Sequence, residues 1–154
     1  WVEVRPRVNP LVQRAIGKTA LISYAMGSFY TSLVANMLVD GIGQAIRETK
    51  RPKVFVVNLT QDEETHGMCA SDMLKELYRY LCMSDTRPGP ITDYVNYALV
   101  GTHGNSNEGG QIPVDIEGLR KMGVEPILLP VETKRDGLIV HDMELVAAVL
   151  ISLC

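Results

Sequence analysis

Cysteine is scarce and badly spaced for structural work. Cys69, Cys82 and Cys154 form no Cys-x-x-Cys pair and are odd in number, which argues against a disulfide framework and a thiolate metal site and points to a reducing compartment. Each reads as a small apolar residue, with one exposed at the terminus. Positive charge is also in short supply: 15 Lys and Arg against 18 Asp and Glu leave a formal net charge of -3 and a pI near 5.6. The basic footprint needed to track a nucleic-acid backbone is missing, so nucleic acid is not expected as a partner. Phosphate binding stays open, because helix N-termini and backbone N–H groups hold anions without net positive charge.

No charged region followed by an apolar signal core opens at Trp1, and the lack of an initiating Met predicts a trimmed or partial chain. A cytoplasmic protein is expected, and the sequon Asn58-Leu59-Thr60, at the end of a predicted strand, is discounted. No uninterrupted apolar run spans a membrane either. Ala20 to Val39 has the length, but Gly27, Ser28, Thr31, Ser32 and Asn36 split it into a strand and a helix. With 46% hydrophobic and 21% charged residues, no repeat and no linker, one α/β domain over residues 1–154 is expected.

What is present alternates. Asn9-Pro10 opens a short helix that stops at Gly17, and Thr19 to Tyr24 reads as a buried strand. After the Ala25-Met26-Gly27-Ser28 turn, Leu33, Met37, Leu38, Ile42, Ala45 and Ile46 predict one long helix ending in the charged Arg47 to Pro52 segment. Lys53 to Asn58 is the continuous apolar run of a strand covered on both faces. A helix over Ala70 to Leu81 follows, with Met73, Leu74, Leu77 and Leu81 on one face. A strand at Tyr97 to Val100, a Gly/Asn-rich loop over Gly101 to Gly110, a helix over Val114 to Met122, a strand at Pro126 to Leu129 and a last helix over Asp142 to Leu153 complete the pattern. Such alternation predicts a parallel sheet flanked by helices.

In open α/β sheets ligands sit beyond the C-terminal strand ends, and two loops lie there. In Gly27-Ser28-Phe29-Tyr30-Thr31-Ser32, glycine allows close backbone approach, and the hydroxyls and first-turn N–H groups can donate to phosphate oxygens; the plainer alternative is that Thr31 or Ser32 only caps a helix. In the Asn58 to Gly67 loop, Asp62, Glu63 and Glu64 would serve a metal, a base or a solvated turn, with Thr65 or Ser71 capping the next helix. His66 and His103, in polar loops without metal-ligand spacing, are expected at the surface.

These two loops, with Glu64-Thr65 and Ser71-Asp72 downstream and a closing Ile139-Val140-His141-Asp142 before an apolar helix, resemble the signatures of the CofD-like family, which contains 2-phospho-L-lactate transferase and the bacterial gluconeogenesis factor. The resemblance runs from Asn9 to Leu153. It implies a Rossmann-like three-layer α/β sandwich with a mainly parallel sheet, here lacking the family's N-terminal half. Two departures stand out: Met26-Gly27-Ser28 replaces a Pro-Gly-Ser turn, and the Asn58 loop is one residue shorter, with Asp62-Glu63 in place of Pro-Gly.

The resemblance implies two activities. In the transferase branch a nucleoside-diphosphate-activated lactate gives its phospholactyl group to a deazaflavin alcohol with Mg2+ assisting, a reaction that depends on positioning and charge neutralisation. In the gluconeogenesis-factor branch a similar pocket binds a nucleotide sugar and the protein regulates carbon use. No deazaflavin-binding residues are recognisable, which favours the nucleotide-sugar-binding regulator. Under either branch Gly27, Ser28, Thr31 and Ser32 are placed on the phosphates, with Asn58 and Thr60 on the pocket floor. Asp142 is expected as the N-cap of the last helix, and His141 as a candidate facing the ligand. A third reading, a non-catalytic structural or interaction module, stays open. That reading predicts a partner chain over the sheet edge left open, and a homo-oligomer, or completion by an N-terminal segment or chain, is expected.

Overall fold

A computed structural model of the chain describes residues 5–102 and 110–154. The second strand, β2 (Lys53–Val56), sits at the centre because its side chains exclude water on both faces: Val54, Phe55, Val56 and the following Val57 are all buried. Around it β1 (Ile22–Tyr24), β3 (Tyr97–Gly101) and β4 (Glu125–Leu129) form one parallel sheet in the order β1-β2-β3-β4. The register pairs Tyr24 with Phe55, Val56 with Leu99, and Leu99 with Ile127.

Strand alternation sends Phe55, Val57, Ala98 and Val100 to one face, into the core built with α3 (Ile42–Glu48), α4 (Ala70–Met83) and α5 (Ile116–Lys121). Sequential parallel strands with right-handed crossovers put all these connections on the same side. Within α4, Ala70, Met73, Leu74, Leu77 and Leu81 repeat at helical spacing and are wholly buried. Val54, Val56 and Leu99 point the other way, where Val146 and Val149 of α6 (Met143–Ser152) cover them. The result is the Rossmann-like α/β layout expected, in three layers. Among the described residues no helix is long and apolar enough to cross a membrane.

The start of α1 (Pro10–Lys18) is as expected: Asn9 is the N-cap, its side chain accepting from Leu11 N–H at 2.8 Å. The long helix predicted after Ser28 is corrected. It is three pieces, a π-helical run over Phe29–Val34, the short α2 (Ala35–Met37) and α3, with a break at Leu38 to Gly41. Gly41 adopts the left-handed φ of 92°, its N–H donates to the Ser84 carbonyl at 2.9 Å, and Asp40 exchanges backbone bonds with Pro6 and Val8. Tertiary pairing, invisible to periodicity, overrides the apolar pattern. The strand predicted from Thr19 begins only at Ile22, since the Thr19 hydroxyl is turned onto the Leu21 carbonyl at 2.7 Å.

The structure adds a β-hairpin that the apolar pattern does not predict, β5 (Glu132–Arg135) and β6 (Leu138–His141), joined at Asp136-Gly137 with φ of 51° and 80°. An Asp-Gly pair is the signal for such a tight turn. The helix near residue 70 is capped by Cys69, whose N–H donates to Asp72 at 3.3 Å, rather than by Thr65 or Ser71. The cysteines are free, Cys154 exposed. His66 is exposed, while His103 and most of the Gly/Asn-rich loop lie outside the described residues.

Candidate functional site

The C-terminal ends of β1 and β2 are stitched together by one side chain. Asn58 Nδ2 donates to the Gly27 carbonyl at 2.8 Å, joining the two loops singled out in the sequence. Each loop has its own anchor. Phe29, 1% exposed, drives into the core with its ring centroid 6.5 Å from that of Phe55 and holds the chain just after Gly27-Ser28. The widened turn that follows, with the Ser28 carbonyl accepting from both Ser32 N–H and Leu33 N–H, is a π-helical feature of the kind that gathers at functional sites. The Asn58 loop is held by a bridge between Thr60 and Gln111, by Gln61 N–H on the Gly110 carbonyl and by Ile112 N–H on the Leu59 carbonyl.

Gly27, Asn58 and Thr60 line a hollow of about 420 Å3, within the size range of small-molecule sites. The hairpin and the start of α6 form its wall with Arg135, Ile139, His141 and Met143. Ser32 lines a second hollow, about 400 Å3, beside Tyr24 and Asn36, while Ser28 and Thr31 line neither. Thr31 is committed elsewhere. Glu64 Oε2 accepts from Tyr30 N–H at 2.7 Å and Thr31 N–H at 3.3 Å. The Thr31 hydroxyl is the chief cause holding the Glu64 carboxyl below its ordinary value; burial opposes it and the two amides add to it. The first turn after Ser28 thus does hold an anion, and that anion is the protein's own Glu64.

His141, half-buried, reaches the Val57 carbonyl through Nε2 at 3.2 Å. Burial pushes its pKa below the ordinary 6.5, against the pull of the Val57 carbonyl and Glu132. Burial thus favours the neutral ring, and in that form the Val57 carbonyl, which only accepts, calls for the proton on Nε2 and leaves Nδ1 an acceptor. Asp142 caps α6 as expected, accepting from Glu144 and Leu145 N–H at 3.1 Å. Asp62, the carboxylate on the hollow's lining, is turned to Thr65, accepting from its N–H at 2.9 Å and its hydroxyl at 2.7 Å. Among the described residues no group of three or more His, Cys, Asp and Glu is arranged to hold a metal ion.

Comparison with known proteins decides the family. The family model for 2-phospho-L-lactate transferase CofD matches residues 2–131. The chain belongs to the CofD family. Its relatives include a putative gluconeogenesis factor of Thermotoga maritima, 34% identical over 139 residues, covering 83% of this chain and 41% of that protein. The gluconeogenesis factor of Bacillus subtilis is 28% identical over 159 residues, covering 96% of this chain and 47% of its own length. A solved UPF0052-family protein from Bacillus halodurans superposes with a TM-score of 0.76 at 25% identity, over 94% of this chain and 47% of that one. The chain spans under half the length of these relatives. Sequence reasoning named Glu64 as a candidate carboxylate but not as the cap of the turn after Ser28, and it did not single out Arg135, which lines the hollow. Glu64 acts across 33 and 34 residues, which no local pattern reveals; Arg135 was placed by the Asp-Gly turn beside it.

Proposed function

We propose that this chain is the nucleotide-holding part of a regulator of the gluconeogenesis-factor type, binding a nucleotide sugar through its diphosphate in the hollow beyond β1 and β2. The observation that carries the reading is the Asn58–Gly27 bond, which brings two βα turns together at adjacent parallel strand ends, where α/β sheets receive their ligands. Gly27, Asn58 and Thr60 would meet the diphosphate directly. Ser28 sits at the rim, and Thr31 and Ser32 join where the phosphates reach the turn that Glu64 now caps. Relatives named gluconeogenesis factor support the regulator reading; the name of the matching family model keeps the phospholactyl transferase as the alternative.

A thermal-shift panel of uridine, guanosine and adenosine diphosphates and their sugar conjugates, with and without magnesium, tests this. A ligand at 100 times its Kd raises stability by about 2.7 kcal/mol. Stabilisation by a uridine-diphosphate sugar is expected, and it should fall sharply in Asn58→Leu. Stabilisation only by guanosine diphosphate with magnesium would favour the transferase, and no shift with any nucleotide would reject both.

A further inference from the structure

The charge on the wall of the hollow comes from the hairpin. Among the described side chains lining it, Asp62 and Arg135 carry a carboxylate and a guanidinium, while burial favours the neutral form of His141. Asp62 Oδ1 accepts from both the amide and the hydroxyl of Thr65, which ties that carboxylate to its own turn. Arg135 is exposed, directly opposite Leu138 in the hairpin register, one residue before the Asp136-Gly137 turn.

The arm that carries it is fixed at its base. Asp142 N–H donates to the Val131 carbonyl at 2.7 Å, closing the hairpin, and His141 rests on the Val57 carbonyl at the end of β2. The start of β5 lies so close over β3 that a Cβ at Gly101 would collide with the Glu132 carboxylate. The two-residue turn sets the backbone of Arg135 beside the hollow, which its side chain lines. Beside it, Met26, Ile139 and Met143 supply an apolar side suited to a flat ring, while Gly27, Asn58 and Thr60 supply the polar floor.

We propose that Arg135 is a phosphate-binding residue of this site, gripping the diphosphate of the ligand from the hairpin side, opposite the Gly27–Asn58 floor. The guanidinium offers paired N–H donors that match two oxygens of one phosphate, which a lysine ammonium does not. The hairpin is then the element that makes the hollow selective for a diphosphate over an uncharged nucleoside. This rests on the nucleotide reading given above and assigns that reading its cation.

The test is titration calorimetry of the chain and of Arg135→Gln, Arg135→Lys and the exposed control Lys134→Gln, with uridine diphosphate and with inorganic pyrophosphate as probes. Melting curves establish that each variant is folded. The expected result is a loss of about 10- to 100-fold in affinity for both probes in Arg135→Gln, a smaller loss in Arg135→Lys and none in Lys134→Gln, with a shallower salt dependence in Arg135→Gln. Unchanged affinity in Arg135→Gln, while the unsubstituted chain binds uridine diphosphate, overturns the role of Arg135 and leaves the nucleotide reading standing. Failure of the unsubstituted chain to bind either probe overturns both.

Discussion

Replacing Asp85 by Ala is expected to destabilise the chain by about 3–5 kcal/mol, the usual consequence of breaking a buried ion pair from one side. The side chain of Asp85 is fully buried and accepts four hydrogen bonds: Arg47 Nε at 2.6 Å, Arg47 Nη2 at 3.3 Å, Arg87 N–H at 2.8 Å and the Tyr94 hydroxyl at 2.7 Å. Behind it the Tyr24 hydroxyl donates to the Tyr94 carbonyl at 2.8 Å, so the network runs from the end of α4 to β1. Removing the carboxylate strands a guanidinium and a phenol together. Burial pushes the Asp85 pKa up, but the bonds from Arg47, Arg87 and Tyr94 outweigh it and hold the group below its ordinary 3.8. The stabilisation is therefore fully present above the unfolded pKa and is lost as pH falls through the folded one. Melting temperature against pH should show an acid limb in the parent chain that is reduced in Asp85→Ala, alongside a drop of roughly 6–20 °C at neutral pH. A neutral-pH change within about 2 °C would mean the network carries no stability.

Gly43→Ala is the second large effect expected. Gly43 lies where α3 crosses the end of α4: its N–H donates to Ser84 Oγ at 3.0 Å, and a Cβ there would overlap the backbone carbonyl of Leu81 and approach Ser84 Oγ to 2.8 Å. Backbone cannot step aside as a flexible side chain can, so α3 must move away from α4. Overpacking of this kind costs about 1–3 kcal/mol, and it also removes the Gly43–Ser84 bond. Because Gly43 meets Leu81 and Ser84 and does not line the hollow of Gly27, Asn58 and Thr60, the variant should lose stability without a specific defect in ligand recognition. Chemical denaturation measures this, with an unchanged midpoint as the contrary result.

The fold was legible in the sequence wherever local pattern and tertiary environment agree. The apolar run at Val54 to Val57, the α4 stripe from Ala70 to Leu81, the Asn9-Pro10 start and the Asp142 cap all state their structure in residue type and spacing. The break at Leu38 to Gly41 was not legible, because Leu33, Met37, Leu38, Ile42 and Ile46 keep helical spacing straight across it. Only the partners Ser84, Pro6 and Val8 end the helix. The hairpin shows in the sequence only through Asp136-Gly137, because β5 is mostly polar, Glu132, Thr133, Lys134 and Arg135 lacking the apolar alternation by which strands are recognised.

At the candidate site, strand-end reasoning located the two loops, and the family resemblance then placed Gly27, Asn58 and Thr60 together. The commitment of Thr31 to Glu64 depends on how two loops meet, which no spacing rule supplies. The same holds for Ser32, which the π-helical turn swings toward the second hollow, away from the Asn58 floor.

The most direct test of the central claim is amide chemical-shift mapping of the isotopically labelled chain during titration with a uridine-diphosphate sugar. The account predicts saturable shifts concentrated at Gly27, Asn58, Thr60, Arg135 and His141, with the α4 and α5 amides little changed. Saturable shifts confined to another surface, such as the hollow beside Arg7, Ser84 and Thr86, or no shifts at saturating ligand, would contradict it.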